Sequence, residues 1–202
     1  MTRLLLIRHG DTDVAGRVLT GRSAGVHLNH RGRAQAADLD RRLAGSTIDR
    51  LWASPLERTQ ETAAALAQAR GLTVEALPEL QEVAFGDWQG CTMEGLQGDA
   101  VWARYNAHRS LYGTPGGESM AEIQVRMVQV LHRAAAEQPG GCIALVSHGD
   151  PIRALLTHLL GIALDLAGRL EVSPASISVA DWAGEAPRVL CVNCTGDCPA
   201  FD

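Results

Sequence analysis

The chain contains no lysine, because all 18 of its basic residues are arginine. The absence of lysine excludes Schiff-base chemistry and a phosphate-binding loop of the Gly-Lys-Ser type. The formal net charge of -5 gives no overall attraction to nucleic acid or to acidic membranes, so neither is an expected partner. The chain also lacks an apolar run long enough to span a bilayer or to serve as a signal peptide.

Disulfide bonds are also expected to be absent. Five cysteines are an odd number, and without a secretory signal they indicate a reducing, cytoplasmic location. Cys191, Cys194 and Cys198 lie close together in the sequence, but a structural zinc site needs four ligands and usually a second cysteine pair. We therefore expect no metal there, and the sequence leaves open whether these thiols bind anything.

The order of the apolar segments predicts the fold class. Continuous apolar runs, typical of strands buried on both faces, alternate with amphipathic segments that are typical of helices. This order predicts an α/β protein: a three-layer sandwich with a mostly parallel, doubly wound sheet and helices on both faces. Residues 1–202 are expected to form a single domain, with residues 91–117 as a small helical lid insertion. The predicted strands are 4–7, 48–53, 72–77, 142–146, 176–182 and 188–192, and the predicted helices are 31–43, 56–70, 120–136 and 151–160.

Two of the predicted strands end in the same way. The first runs into His9-Gly10 and the fourth into His148-Gly149. Ligands of doubly wound sheets bind beyond the carboxyl ends of the strands, so the two imidazoles are expected to meet in one crevice. Each glycine would let the chain turn sharply and let a ligand approach the backbone. A lone histidine is more often structural, but two at matching strand ends favour a functional site.

Two arginines indicate an anion at the same crevice. Arg8 follows an apolar run, where a charge is costly unless it meets an anion, and Arg58 lies just after another strand end at Ser54-Pro55. Ser54 is expected to cap the helix that Pro55 begins. Taken alone, Arg58 would be placed on an exposed helix face, paired with a nearby glutamate. Beside Arg8 and two histidines, its planar guanidinium indicates recognition of a dianionic phosphate.

Five stretches of the chain carry a resemblance to a known family. They are residues 6–12 (LIRHGDT), 54–62 (SPLERTQET), 80–90 (LQEVAFGDWQG), 116–119 (GGES) and 146–149 (VSHG). With these stretches in this order, the chain resembles the histidine phosphatase superfamily, also called the phosphoglycerate mutase-like family, over nearly its whole length. The Arg-His-Gly triplet alone is a weak signal, whereas the five stretches together are highly specific.

The resemblance implies a catalytic role for five residues. His9 matches the histidine that becomes phosphorylated, and Arg8 and Arg58 match the arginines that clamp the phosphoryl group. His148 matches the second histidine that contacts this group. Glu82 occupies the position at which the phosphatase branch carries its proton donor.

Three further residues are expected to bind the substrate. Thr20 and Gly21 resemble the family's phosphate-side loop, and Gly149 is expected to supply a backbone N–H. A neutral imidazole can attack phosphorus through one nitrogen while the other donates to a carbonyl. Arginines can stabilise the charge on the phosphoryl oxygens, so the resemblance implies neither a cofactor nor a metal.

The implied activity is that of a metal-independent phosphomonoesterase, an acid-type histidine phosphatase acting on a small phosphorylated metabolite through a phosphohistidine. The stretch that follows Glu82 is typical of the phosphatase branch, whereas the mutases carry a Glu-Arg-His-Tyr-Gly motif and a longer basic insert. The alternatives are phosphoglycerate mutase-type phosphoryl transfer, a non-catalytic phospho-ligand-binding module and a metal-dependent phosphoesterase. The sequence leaves open the identity of the phosphomonoester and a homodimeric state.

The chain departs from the family pattern at three positions. Asp11 replaces the usual glutamate, and Ala15 replaces an asparagine that usually contacts the phosphate. Loss of a donor to a charged group costs about 1.5–3 kcal/mol. Asp150 would repel an anionic substrate unless Arg153 or another arginine pairs with it. Asp87 is the second candidate for the proton donor.

Overall fold

The architecture is that of an α/β protein built on one mixed sheet. The structure is a computed structural model that describes residues 1–183 and 187–198. Its strands are β1 (Thr2–Arg8), β2 (Arg50–Ala53), β3 (Val74–Ala76), β4 (Cys142–Ser147), β5 (Ile177–Trp182) and β6 (Arg188–Cys194). Its α-helices are α1 (His30–Arg42), α2 (Glu57–Arg70), α3 (Ala100–Ala107), α4 (Met120–Glu137) and α5 (Gly149–Leu160).

The strand order places the ends of β1 and β4 side by side. The sheet has the order β3-β2-β4-β1-β5-β6, in which the first four strands are parallel. β5 is antiparallel to both of its neighbours. The prediction of a mostly parallel sheet is therefore confirmed. In the β1–β4 register, Arg8 lies opposite Ser147, so the residues that follow each strand emerge at the same edge.

Each face of the sheet has its own apolar layer. Leu5 and Ile7 pack in the layer that α1 and α2 cover, whereas Leu4 and Leu6 pack in the layer beneath α4 and α5. All four side chains are at most 1% exposed. Burying one such side chain contributes about 1.5–3 kcal/mol. This alternation along β1 confirms the expected three layers with helices on both faces. Among the described residues, no helix has both the length and the apolar character that crossing a membrane requires.

The prediction that Ser54 caps the following helix is wrong. Helix α2 begins at Glu57, and Leu56 occupies the cap position without a side-chain cap. Leu56 is extended, with φ -73° and ψ 143°, so the helix begins one residue later than predicted and its cap position lies two residues after Ser54. Ser54 stays at the end of β2 and is fully buried, which makes its hydroxyl available to the neighbouring strand end.

The expected lid segment contains one short helix. Within residues 91–117 the structure has helix α3, which begins at the side-chain cap of Asp99. Trp102 and Tyr105 from this helix pack against Trp88, with ring centroids 5.2 and 5.5 Å from the Trp88 ring. Tyr105 is only 1% exposed. These aromatic residues fix the helix to the apolar layer beneath α4 and α5.

Gly10 serves the packing of the backbone. A Cβ at Gly10 would lie 2.6 Å from the carbonyl oxygen of Gly32. A Cβ at Gly32 would in turn collide with the backbone of Asp11. The two glycines therefore let the turn after β1 rest directly on the first turn of α1.

This close approach predicts that Gly32→Ala lowers the free energy of unfolding by about 3 kcal/mol, because overpacking against backbone cannot be relieved by a rotamer change. Urea denaturation measures the change. The matched control is Gly168→Ala, since a Cβ at Gly168 meets open space. Equal stabilities of the two variants would contradict the prediction.

Candidate active site

Two buried histidines meet at the carboxyl edge of the sheet. His9 follows β1 and His148 follows β4, and their ring centroids lie 5.2 Å apart at an angle of 63°. His9 is 5% exposed and His148 is fully buried. The structure thus brings together the two imidazoles that the sequence placed at matching strand ends.

The hydrogen bonding of His9 orients its second nitrogen for chemistry. Nδ1 lies 2.7 Å from the carbonyl oxygen of Gly10, an acceptor, so Nδ1 carries the proton and Nε2 keeps its lone pair. Burial lowers the pKa of His9 well below its usual value, and the charges of Arg58 and Arg8 lower it further. The imidazole is therefore neutral at physiological pH.

His148 is within hydrogen-bond distance of Ser54, a residue that was expected to cap a helix. The Ser54 hydroxyl lies 2.8 Å from Nε2 of His148. Burial, followed by the neighbouring His9 and Arg58, holds the pKa of His148 well below its usual value. The signal that could have identified Ser54 was its position at the end of β2, the strand next to β4.

Arg58 is a buried site residue and not an exposed helix residue. It is 2% exposed, and its Nη2 donates to the carbonyl oxygen of Gly21 at 2.7 Å. The neighbouring glutamates do not pair with it: Glu57 accepts from the Gly25 amide, and Glu61 accepts from the Leu28 amide. Burial is the main cause of the lowered pKa of Arg58.

Arg8 is held in a similar way. Its Nη1 donates to the carbonyl oxygen of Val172 at 2.6 Å. Burial also lowers the pKa of Arg8. Each of the two guanidinium groups is thus anchored to a backbone carbonyl by one nitrogen.

Three other nitrogens of this cluster have no hydrogen-bond partner among the described residues: Arg8 Nε, Arg58 Nη1 and His148 Nδ1. A buried polar group without a partner costs about 1–3 kcal/mol, and more when it is charged. An oxyanion bound between the two arginines would accept from these nitrogens and balance the positive charge. Arg8 and Arg58 line the same pocket as His9, and this arrangement suits the binding of an oxyanion such as phosphate.

A small pocket of about 130 Å³ opens onto this cluster. The expected site residues that line it are Arg8, His9, Thr20, Gly21, Arg58 and Glu82. Ala15 also lines it, at the position where the family pattern has an asparagine. His148 and Gly149 are not among the lining residues.

The two expected binding glycines have packing roles that the structure defines. Gly21 has φ +47°, and a Cβ there would lie 2.9 Å from the Val83 carbonyl oxygen. Its own carbonyl anchors Arg58. A Cβ at Gly149 would lie 3.1 Å from Arg153 Nη1 and 3.8 Å from the Arg8 guanidinium carbon. Gly149 therefore leaves room for two arginines beside the pocket.

Glu82 is a half-buried carboxylate in the pocket wall. Its Oε1 accepts from the Val83 amide at 3.0 Å. Burial raises the pKa of Glu82, and the negative charge of Asp150 raises it further, against the opposing effects of Arg58 and Arg8. Asp87, the second candidate for the proton donor, is exposed and does not line the pocket.

The backbone around Glu82 is held by the Glu118 carboxylate, for which the sequence predicted no role. Glu118 accepts from the Ala84 amide at 3.0 Å and pairs with Arg22 at 2.8 Å and Arg126 at 3.2 Å. Arg22 Nε also donates to the Glu82 carbonyl oxygen. This network fixes the segment that carries the carboxylate.

The three clustered cysteines do not form a metal site in the part of the chain that the structure describes. No group of three or more His, Cys, Asp or Glu side chains there is arranged to hold a metal ion. The Cys194 thiol instead contacts the carbonyl oxygens of Gly196 and Asp197. This region lies at the end of β6, away from the pocket lining.

Comparison with known proteins agrees with this geometry. Residues 4–195 match the family model of the histidine phosphatase superfamily, branch 1. The chain is 32% identical to a probable phosphoglycerate mutase of Cronobacter sakazakii, with 90% of this chain and 86% of that protein covered. The first curated relatives, mycobacterial proteins 34% identical over 200 residues, are longer: the chain spans about half of their length (54%).

Two solved phosphatase structures share the fold. Mycobacterial glucosyl-3-phosphoglycerate phosphatase in complex with VO3 has a TM-score of 0.86 and 29% identity, and 95% of this chain and 98% of that chain are covered. The alpha-ribazole phosphatase of Shigella flexneri has a TM-score of 0.83 and 28% identity, with coverages of 96% and 97%.

The unpartnered Nη1 of Arg58 predicts that Arg58→Met weakens vanadate binding by about 10–100-fold, the equivalent of the ~1.5–3 kcal/mol typical of a hydrogen bond to a charged group. Arg58→Lys should bind with intermediate strength, because it keeps the charge but loses the planar fork. Isothermal titration calorimetry measures both affinities.

Arg70→Met is the matched control for this experiment. Arg70 lies at the other end of α2 and also donates to backbone carbonyls, but it is remote from the pocket. Its replacement should leave vanadate affinity unchanged. Vanadate binding to Arg58→Met as tight as to the wild type would show that Arg58 is structural.

Proposed function

The chain belongs to the histidine phosphatase superfamily, and from this premise we propose that it is a metal-independent phosphomonoesterase that acts through a phosphohistidine. One observation carries the proposal: His9, whose Nε2 keeps its lone pair because Nδ1 donates to Gly10, lines one pocket with Arg8 and Arg58, and each arginine retains an unpartnered nitrogen. A phosphoryl group that accepts from these nitrogens would present its phosphorus to the neutral imidazole.

In the first proposed step, His9 Nε2 attacks phosphorus and the bond from phosphorus to the ester oxygen breaks. Charge stays spread over the three equatorial oxygens of the phosphoryl group. Arg8 and Arg58 stabilise this charge from fixed positions, since each is already anchored to a carbonyl oxygen. Gly10 accepts from Nδ1 and stabilises the developing positive charge on the ring.

Glu82 is the proposed proton donor to the leaving alkoxide. A carboxyl group can serve as an acid near neutral pH when its pKa is raised, and burial raises the pKa of Glu82. In the second step the same carboxylate takes a proton from water, which attacks phosphohistidine and releases inorganic phosphate. His9 then returns to its neutral state.

Hydrolysis is favoured over phosphoryl transfer between two positions of a sugar acid. The segment after Glu82 resembles that of the phosphatase branch, and the chain is similar in fold to solved phosphatases. A mutase-type activity remains the second candidate, supported by the similarity to a mutase relative. A metal-dependent phosphoesterase would lose its activity in a strong chelator, whereas the proposed steps use only side chains of this chain.

The covalent step predicts that His9→Ala abolishes turnover while the fold is retained. Wild-type protein mixed with nitrophenyl [³²P]phosphate and quenched should carry an acid-labile, base-stable label on His9. His158→Ala, which removes an exposed histidine of α5, should label and turn over normally. Undiminished turnover by His9→Ala would refute the covalent mechanism.

If Glu82 is the proton donor, the effect of Glu82→Gln on the rate of phosphorylation should depend on the leaving group. Phosphorylation by alkyl phosphates should slow by about 10²–10⁴-fold, the range for positioned acid catalysis. The rate of phosphorylation by nitrophenyl phosphate should fall far less, because nitrophenolate leaves without a proton. Since dephosphorylation also slows, stopped-flow measurements should show a burst of nitrophenol followed by slow turnover.

The pH dependence of the same variant provides a second measurement. Glu82 must be protonated to act, so wild-type kcat/KM for alkyl phosphates should fall as pH rises through its raised pKa. Because the pKa of His9 is lowered, activity should persist well below pH 6.5, which gives an acidic optimum. Glu82→Gln should lose the alkaline decline.

Asp87→Asn is the matched control and should leave the rates and the pH profile unchanged. Equal and small losses of rate with alkyl and nitrophenyl phosphates in Glu82→Gln would contradict the role of Glu82 as proton donor.

A further inference from the structure

Glu82, the proposed proton donor, lies in a segment that belongs to no helix or strand. Residues 81–85 connect two short 3₁₀ turns, Pro78–Leu80 and Gly86–Trp88. The Glu82 carboxyl group accepts from the amide of its own neighbour, Val83, at 3.0 Å. That bond orients the carboxyl group relative to its own backbone only. The position of Glu82 in the pocket wall therefore depends on the groups that hold this segment from outside.

Arg22 holds the backbone of Glu82. Its Nε donates to the Glu82 carbonyl oxygen at 3.0 Å. The preceding residue, Gly21, lines the pocket and accepts from Arg58 Nη2 at 2.7 Å. Residues 21 and 22 thus connect an arginine that is proposed to bind the phosphoryl group with the carboxyl group that is proposed to protonate the leaving group.

Glu118 holds both the segment and Arg22. Its Oε2 accepts from the Ala84 amide at 3.0 Å and lies 2.8 Å from Arg22 Nη2. Its own amide donates to the Ala84 carbonyl oxygen at 2.8 Å. Its Oε1 lies 3.2 Å from Nε of Arg126, whose Nη2 approaches the Glu82 carbonyl oxygen at 3.4 Å. One carboxylate therefore joins two arginines to the backbone on both sides of Val83.

The three charged side chains are largely shielded from water. The exposed fractions are 31% for Arg22, 20% for Glu118 and 13% for Arg126. Burial lowers the pKa of Arg126, and the charges of Glu118 and Glu82 oppose this effect. Removing one partner of a buried ion pair leaves a charge without compensation. Without the Glu118 carboxylate, both arginines would keep their contact with the Glu82 backbone only at the cost of an unpaired charge.

We propose that Glu118 is a positioning residue for acid catalysis: through Arg22 it holds the Glu82 backbone where the carboxyl group can protonate the leaving group. This inference rests on the proposed function, in which Glu82 is the proton donor. A displacement of ~1 Å can lower a rate by about 10²-fold. Loss of the Glu118 charge affects proton transfer in particular, because the arginines that are proposed to bind the phosphoryl group have carbonyl anchors of their own.

Glu118→Gln tests the proposal, because an amide oxygen can still accept from the Ala84 amide while the charge is lost. Phosphorylation by glycerol 3-phosphate should slow by about 10–100-fold, the effect of a misplaced catalytic group. Phosphorylation by nitrophenyl phosphate should slow far less, since nitrophenolate leaves without a proton. Rapid-quench labelling of His9 with ³²P from each ester measures both rates. Their ratio is the readout, because a loss of folded protein lowers both rates equally.

Arg22→Met is the second variant, and it should change the ratio in the same direction. The double variant with Glu118→Gln should lose less than the sum of the two single effects, because the two residues act through one contact.

Asp40→Asn is the matched control. Asp40 pairs with Arg70 Nε at 2.6 Å, and Arg70 also donates to backbone carbonyl oxygens, but neither residue lines the pocket. This variant should leave the ratio of the two rates at the wild-type value.

The outcomes separate the inference from the proposed function. Equal losses with both esters in Glu118→Gln, or an unchanged ratio, overturn the role of Glu118; the role of Glu82 stands if Glu82→Gln still depends on the leaving group. Should Glu118→Gln fail to fold, the ratio in Arg22→Met decides in the same way. If the wild type hydrolyses neither ester, the proposed function fails and the inference fails with it.

Discussion

The parallel pairing of β1 with β4 is the constraint on which the site depends. With Arg8 opposite Ser147, the next residue of each strand, His9 or His148, must emerge at the same edge and at nearly the same height. A register shift of one residue would send these side chains to opposite faces of the sheet. The register is itself fixed by burial, because both strands have apolar residues on each face. The packing of the core therefore determines the distance between the two imidazoles.

At this edge of the sheet the positive charges of Arg8 and Arg58 are buried, and backbone carbonyl oxygens accept hydrogen bonds from both. The backbone that carries Arg8 and His9 is held by Ala175, whose amide donates to both of their carbonyl oxygens at 3.1 Å. Ala175 has φ 55°, a conformation that costs a non-glycine residue about 1–3 kcal/mol. Its carbonyl accepts from the buried Arg42 at 2.7 Å, which fixes this strained loop.

The sequence could predict the features that follow from periodicity and strand order, but not those that depend on contacts between distant segments. The alternation of apolar runs and amphipathic helices was sufficient for the three layers and for the pairing of His9 with His148. Ser54 was misassigned because a serine before Pro55 has the local chemistry of a helix cap, while its partner lies 94 residues away. Ala175 gives no local signal at all, since alanine is not a residue that usually marks a left-handed conformation.

The distribution of charge around the pocket then distinguishes the two ends of a phosphate ester. At the phosphoryl end, the guanidinium groups retain unpartnered nitrogens. Asp150, whose charge acts on Glu82, pairs with Arg109 and Arg153. The negative charge of Asp150 also favours the protonated form of Glu82. A free arginine in that place would lower the pKa of Glu82, so the pairing of Arg109 and Arg153 with Asp150 helps to keep the Glu82 carboxyl group protonated.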